Sequence, residues 1–238
     1  MQRPRTRARR AAIASLLSLA PALGGCSQLP GPPQGEPGDP GLVDLASLAP
    51  TVRMDIRYAG SDNFIGAPVD GYDAPRCLLS PAAASALAKL QQELQAFGLG
   101  LIVHDCYRPQ RAVNHFVRWS RDPADQKTRA RYYPNEDKAT LFAKGYLDER
   151  SGHSRGSTVD LGLVDAAGRE IDMGTGWDYL DPLSATEAPG VGEAARRNLL
   201  LLRALMEKHG FRNYPAEWWH FTLVGEPWPE RYFDLPIR

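Results

Sequence analysis

The chain of 238 residues is long enough for one folded domain with a buried core, and 43% of its residues are hydrophobic. Its 28 basic and 28 acidic residues give a formal charge of zero, so no global field favours nucleic acid or an anionic membrane surface. We therefore expect a single folded domain and no nucleic-acid partner.

The N-terminus has the layout of an export signal. Five arginines precede an uncharged apolar run, residues 11–23, which is shorter than the roughly 20 residues that a membrane-spanning helix needs. The run ends in Leu23-Gly24-Gly25-Cys26, which resembles a bacterial lipoprotein cleavage box. We expect residues 1–26 to be a lipoprotein signal with Cys26 as the lipidated residue, and an ordinary cleaved signal is the alternative. Ser27 favours the outer membrane facing the periplasm, with the membrane contacted only through this lipid anchor.

A tether and a cysteine pair follow. Residues 27–41 are rich in proline and glycine and nearly lack apolar side chains, so we expect an extended tether before a folded domain over residues 42–238. Lipidation of Cys26 would leave Cys77 and Cys106 as an even pair in an oxidising compartment. The two are candidate disulfide partners, and buried thiols whose directions do not meet are the alternative.

The domain mixes helical and strand patterns. Ser80 is a candidate cap for the first helix and Gly98 ends it. Residues 118–150 are highly charged, and we expect them to form a surface excursion, with some helix, outside the core and in a position to act as a lid. Hydrophobic periodicity predicts helices over residues 81–97, 109–119 and 193–209, and strands over residues 99–103, 158–164 and 219–224. This order favours an α+β fold in which helices flank a small antiparallel sheet.

Two histidines and an aspartate can form a metal site. Catalytic zinc takes three protein ligands, commonly imidazole or carboxylate, and His153, Asp160 and His220 can supply that set. The turn-forming residues 154–157 let the chain double back, so that both flanking side chains reach one ion. Glu217 is the natural proton acceptor for a zinc-bound water, and its spacing from His220 places it at a bend before the last strand. On spacing alone, hydrogen-bonded structural histidines are the alternative.

Four separated segments carry motifs that occur together in one known family. They are Ser151-Gly152-His153-Ser154-Arg155-Gly156-Ser157-Thr158-Val159-Asp160, Glu217-Trp218-Trp219-His220, Tyr107-Arg108-Pro109 and residues 58–72. The first resembles S-x-H-x-x-G-x-[AT]-x-D, the second E-x-x-H and the third Y-R-P. In this order they resemble the D-alanyl-D-alanine dipeptidases and the related D,D-carboxypeptidases, and the last segment is similar to the dipeptidase branch.

The resemblance implies a fold and a metal. The fold is expected to be a single domain like those of hedgehog proteins and D,D-peptidases. One zinc ion per subunit is expected on His153, Asp160 and His220, which agrees with the coordination argument. Glu217 is implied as the general base. Arg108 is implied as the donor to the tetrahedral oxyanion, with a structural salt bridge as its alternative role.

Three further positions are implied as substrate contacts. Ser151 is expected to orient the substrate or a metal ligand. Tyr58 and Asp178 are candidates for holding the free ammonium of a dipeptide, although Asp172 is close enough in sequence to take the place of Asp178. The substrate is therefore expected to be a small D-amino dipeptide.

The function that follows is zinc-dependent hydrolysis of D-alanyl-D-alanine in the metabolism of the bacterial cell wall. A D,D-carboxypeptidase acting on peptidoglycan stem peptides is the nearest alternative, because it would use the same zinc centre. A zinc-binding envelope module without turnover is an alternative from a different class. Glu217 and Arg108 argue against that module, because a structural metal site needs neither group.

Overall fold

Short strands and five α-helices build the part of the chain that the structure describes. It is a computed structural model that describes residues 35–36 and 38–238. The strands are β1 (Val43–Asp44), β2 (Arg53–Met54), β3 (Leu78–Leu79), β4 (Leu99–Asp105), β5 (Thr158–Asp165), β6 (Phe211–Asn213) and β7 (His220–Leu223). The helices are α1 (Leu45–Leu48), α2 (Pro81–Gln95), α3 (Gln110–Ser120), α4 (Arg129–Tyr132) and α5 (Glu193–Lys208).

The main sheet sets the register of the candidate site. Its five strands lie in the order β2-β4-β5-β7-β6, and β1 pairs with β3 in a separate two-stranded sheet. Strand β5 is antiparallel to both of its neighbours, and Asp160 on β5 lies opposite Asp105 of β4 and opposite His220 of β7. Because directly opposed residues place their side chains close together, this register brings Asp160 and His220 together.

The predicted α+β class is confirmed, with one difference in the sheet. The edge strand β2 pairs with β4 in the parallel direction, so the sheet is not antiparallel throughout. Strand β2 has only two residues, Arg53 and Met54, which is too short for the alternating pattern by which a strand is recognised in a sequence.

Helix α2 holds strand β4 in place. Its first residue is Pro81, and Ser80 caps it by accepting a hydrogen bond from the Ala83 amide at 3.3 Å, as the sequence predicts. Gln91, on the buried face, accepts a hydrogen bond from the Leu101 amide at 2.8 Å. Helix and strand are therefore joined by a polar contact as well as by apolar packing.

The charged stretch over residues 118–150 is partly core, and the prediction of a purely surface segment is wrong. Tyr133 is fully buried, and the Lys138 side chain is 1% exposed. The Lys138 ammonium lies 4.0 Å from the centre of the Trp119 ring and donates a hydrogen bond to the Asp122 carbonyl at 2.8 Å. These contacts compensate for the loss of water around the ammonium, so a charged sequence is compatible with a buried position here.

Several N-terminal predictions fall outside the described residues. They are the lipoprotein signal over residues 1–26, its Cys26 and most of the tether over residues 27–41. In the described part of the tether, the Glu36 carboxylate pairs with Arg231 at 2.7 Å. No helix among residues 35–36 and 38–238 is both long enough and apolar enough to cross a bilayer.

Candidate metal centre and active site

Three side chains from neighbouring elements converge on one point. His153 lies in a short 3-10 helix, Gly152–Arg155, which Ser151 caps by accepting a hydrogen bond from the His153 amide at 3.3 Å. Gly156 ends that helix with φ of 80°, a conformation that glycine adopts without strain. The chain then enters β5, which carries Asp160, and β7 starts at His220.

The three donor atoms form a triangle whose size fits zinc. His153 Nε2 and His220 Nδ1 each lie 3.2 Å from Asp160 Oδ1, and the two nitrogens are 3.3 Å apart. A tetrahedral zinc centre with bonds of about 2.0 to 2.1 Å has edges of about 3.3 Å between its ligand atoms. Two imidazole nitrogens and one carboxylate oxygen are also ligand types that catalytic zinc takes.

Hydrogen bonding around the triangle also suits a cation. His153 Nδ1 lies 2.7 Å from the Cys106 carbonyl oxygen, which can only accept, so the proton sits on Nδ1 and Nε2 presents a lone pair. Within the described part of the chain, the buried Asp160 Oδ1 accepts no hydrogen bond. A buried acceptor without a donor is destabilising, and a cation would remove that cost. Burial also lowers the pKa of His220, which keeps this ring neutral for metal binding.

Glu217 lies beside the triangle, in the turn before β7 where the sequence predicts a bend. Its Oε2 is 3.5 Å from His220 Nδ1. Burial, followed by the negative charges of Asp160 and Asp178, raises the pKa of Glu217 well above its ordinary value. A dication near these carboxylates would lower that pKa again, so the group is suited to accept a proton and to give it back.

Arg108 is held rigidly at the edge of the site. Its Nε and Nη2 both donate to Asp105 Oδ2, at 2.9 and 2.8 Å, and its guanidinium lies 5.2 Å from the centre of the Tyr58 ring. Tyr72 donates a hydrogen bond to the other oxygen of Asp105 at 2.6 Å. Arg108 is therefore both a salt-bridge partner and a donor with a fixed direction, because one side of its planar group is anchored.

The positions implied for substrate contact lie together. Tyr58 donates a hydrogen bond to Asp178 Oδ2 at 2.6 Å, and both side chains are buried. Burial, followed by the charge of Asp160, raises the pKa of Asp178 to about 8. Asp172 is exposed and caps the Gly174 amide at 2.8 Å, so Asp178 is the aspartate that faces the site.

The predicted metal-binding, catalytic and substrate-contact residues, apart from His153, line one cavity of about 600 Å³. Part of its wall comes from residues 142–149, at the end of the charged stretch. Tyr214, which also lines the cavity, donates a hydrogen bond to the Gly145 carbonyl at 3.1 Å. The predicted site residues that line the cavity are Tyr58, Arg108, Ser151, Asp160, Asp178, Glu217 and His220.

Comparison with known proteins places the chain in a family. Residues 39–238 match the family model described as D-Ala-D-Ala dipeptidase. The chain belongs to the D-Ala-D-Ala dipeptidase family. A Streptomyces coelicolor protein named D-alanyl-D-alanine dipeptidase is 47% identical over 201 residues, which are 84% of this chain and 98% of that protein. Proteins of the same name from Enterococcus faecalis and Escherichia coli are 43% and 38% identical, over 83% and 76% of this chain and 98% and 84% of those proteins.

Membership of the D-Ala-D-Ala dipeptidase family agrees with the fold class and with the kind of enzyme that the motifs imply. The matched region includes Cys77 and Cys106, which are joined by a disulfide. Because the Cys106 carbonyl also accepts the hydrogen bond from His153 Nδ1, the disulfide lies directly behind a candidate metal ligand.

Two residues of the site were not predicted from the sequence. Asp105 anchors Arg108, and its place three residues before that arginine is the signal that could have revealed it. Trp177 donates a hydrogen bond from Nε1 to Asp160 Oδ2 at 3.3 Å. Tryptophan is most often a core residue, so composition and spacing gave no reason to select this one.

Proposed function

We propose that this chain is a zinc-dependent dipeptidase that hydrolyses D-alanyl-D-alanine to two D-alanines. The proposal depends above all on one observation, the meeting of a zinc-sized triangle of donor atoms with Glu217 and Arg108 at a single cavity. The family match over residues 39–238 supports the same activity. A non-catalytic zinc module would need neither a buried carboxylate for proton transfer nor a fixed guanidinium.

Each group has a part in the proposed reaction. His153, Asp160 and His220 would hold one zinc ion per subunit, and the bound ion supplies a Lewis acid together with an acidified water. Glu217 accepts a proton as the scissile carbonyl is attacked and returns it to the leaving amine. Arg108 donates hydrogen bonds to the carbonyl oxygen as that oxygen becomes negative, and its anchored geometry means that little reorganisation is needed.

The buried pair of Tyr58 and Asp178 supports a dipeptide rather than a longer substrate. The Asp178 carboxyl group, with the Tyr58 hydroxyl at 2.6 Å, offers hydrogen bonding to a free ammonium, and the positive charge of a bound ammonium would favour the ionised carboxylate. Because both side chains are buried, a peptide stem would not pass beyond them into solvent. Ser151 lines the same cavity, where its side chain orients either the substrate or the turn that carries His153.

The substrate proposal is tested by D-alanine release from two compounds, free D-Ala-D-Ala and an N-blocked tripeptide that ends in D-Ala-D-Ala. We expect the zinc-loaded chain to hydrolyse the free dipeptide and to leave the blocked tripeptide intact. Zinc-stripped protein is the control, and it should release D-alanine only after zinc is restored. Hydrolysis of the tripeptide at a similar rate would instead identify a D,D-carboxypeptidase.

The location of the enzyme is a separate proposal that rests on the sequence alone. Residues 1–26 would direct export, and Cys26 would anchor the mature protein to the outer membrane, facing the periplasm. Mass spectrometry of the mature protein from cell envelopes tests this. A lipid-modified N-terminal cysteine is expected, and an unmodified N-terminus at another residue would refute it.

A further inference from the structure

The carboxylate of Asp160 uses its two oxygens differently. Oδ1 faces the ring nitrogens of His153 and His220, each at 3.2 Å. Oδ2 points away from that triangle and accepts a hydrogen bond from Trp177 Nε1 at 3.3 Å. Arg108 Nη2 is 3.8 Å from the same Oδ2, beyond hydrogen-bonding distance. If Asp160 Oδ1 binds a metal, Oδ2 is the oxygen that stays off the metal, and the Trp177 N–H is the donor that faces it.

The ring of Trp177 is fixed by other aromatic groups. His104 stacks on it, with ring centres 5.3 Å apart and an angle of 19° between the planes. Tyr58 meets it edge-on at 5.0 Å. The indole is 4% exposed, so contacts on more than one side define its plane and hence the direction of its N–H.

We propose that Trp177 is a positioning residue that orients the metal-binding carboxylate of Asp160. A ligand carboxylate keeps its plane, and keeps one oxygen on the metal, when its second oxygen has a fixed donor. A neutral indole provides this donor without adding to the positive charge that Arg108 already places 3.8 Å from the same oxygen. This inference rests on the proposed metal site, and it adds a residue to which no role was assigned from the sequence.

The test compares zinc dissociation constants of full-length protein, measured by competition with a chelator of known affinity. Trp177→Phe keeps an aromatic ring against His104 and Tyr58 but removes the N–H, and we expect its zinc affinity to fall about tenfold. The matched control is Trp218→Phe, which removes an indole N–H that donates to Thr175 Oγ1 at 2.9 Å rather than to a metal ligand, although Trp218 is only two residues from His220. The zinc dissociation constant of this control should stay within about twofold of that of the unmodified protein, which is clearly smaller than the roughly tenfold loss expected for Trp177→Phe.

A second variant separates the lost hydrogen bond from altered packing. Site-specific replacement of Trp177 by β-(3-benzothienyl)alanine keeps the bicyclic shape and substitutes sulfur for N–H, so it should weaken zinc binding as Trp177→Phe does. Unchanged zinc affinity in this analogue, or equal losses in Trp177→Phe and Trp218→Phe, would overturn the inference. Failure of the unmodified protein to bind zinc would instead refute the proposed metal site, so the two failures are distinguishable.

Discussion

At the residue scale, the anchoring of Arg108 by Asp105 links local geometry to turnover. Both Nε and Nη2 of the guanidinium contact one carboxylate oxygen, which leaves the rest of the planar group to face the cavity. Lysine has a single ammonium and cannot keep this anchor while also donating to a substrate oxygen.

We predict that Arg108→Lys lowers kcat about 100- to 1000-fold, because a donor to the developing oxyanion is lost. Zinc content should not change. The matched control is Arg111→Lys, since Arg111 is outside the cavity and pairs with Asp234 at 2.9 Å. Steady-state kinetics with D-Ala-D-Ala, together with metal analysis, checks the prediction. A kcat close to that of the control would show that Arg108 is only structural.

Asp55, which does not line the cavity, provides a pH-dependent contribution to stability. Contact with the His104 ring at 3.4 Å, followed by the pair with Arg57 at 2.7 Å, lowers the pKa of Asp55 from 3.8 to about 2 against the opposing effect of burial. Since the pKa in the folded state is below that of the unfolded chain, the stabilisation is present above about pH 4. It is lost as the pH falls through about 2.

Asp55→Asn should therefore reduce the free energy of unfolding by about 1 to 2 kcal/mol at pH 7, and the difference should shrink between about pH 4 and pH 2. Urea unfolding at a series of pH values measures it. Asp73→Asn, at an exposed pair with Arg238, is the control for simple loss of a surface charge. A difference that stays constant down to pH 2 would contradict this role of Asp55.

At the scale of elements, the disulfide joins the residue immediately before β3 to the turn that follows β4. Cys77 and Cys106 are separated by 29 residues, and both are buried. In the chain-entropy model, a cross-link over such a loop stabilises the folded state by about 3 to 4 kcal/mol. The same turn continues to Arg108, so the bond braces the region from which the oxyanion donor projects.

We predict that Cys77→Ala, Cys106→Ala and the double variant each lose about 3 to 4 kcal/mol of unfolding free energy, and that the three losses are equal. Either single change removes the whole cross-link, so the second adds little. Urea unfolding of the zinc-loaded proteins measures this. Small, additive losses would indicate two independent buried thiols.

Some residues and strands of the site region could be predicted from the sequence, and others could not. The zinc ligands and Glu217 were identifiable because they occur in two short motifs. The partners of those residues were harder to identify, because Trp177 reaches Asp160 from another segment and the contact of Asp105 with His153 joins residues far apart in the sequence. The strands β2 and β6 have two and three residues, too few to show a periodic pattern.

The charged stretch before the metal motif shows a second limit. Its composition indicated a solvated surface, yet Tyr133 is fully buried there and the Lys138 ammonium is paired with backbone carbonyls. Composition indicates which side chains can be buried without hydrogen-bond partners. It does not indicate where the folded chain places acceptors that allow a charged side chain to be buried. Local sequence patterns therefore identified the candidate metal ligands and the proton acceptor, whereas contacts between distant segments determine the shape of the cavity.

At the scale of the whole molecule, the site depends on segments that are far apart in sequence. The sheet and the 3-10 helix before β5 hold the metal ligands, the turn before β7 holds Glu217, and residues 142–149 contribute part of the cavity wall. Tyr58, near the start of the folded chain, reaches Asp178 in the same cavity. Because these segments meet only in the folded domain, the proposed substrate contacts and the proposed proton acceptor are both in place only when the whole domain is folded.

The most direct test of this account is the rate of D-alanine release from D-Ala-D-Ala by Glu217→Gln, with bound zinc measured in the same sample. Glutamine keeps the size of the side chain but cannot carry the proton, so kcat should fall at least about 100- to 10,000-fold while zinc content stays equal to that of the unmodified protein. Glu187→Gln, at an exposed pair with Arg203, should keep full activity as the control. A zinc-loaded Glu217→Gln protein with undiminished turnover would contradict the account.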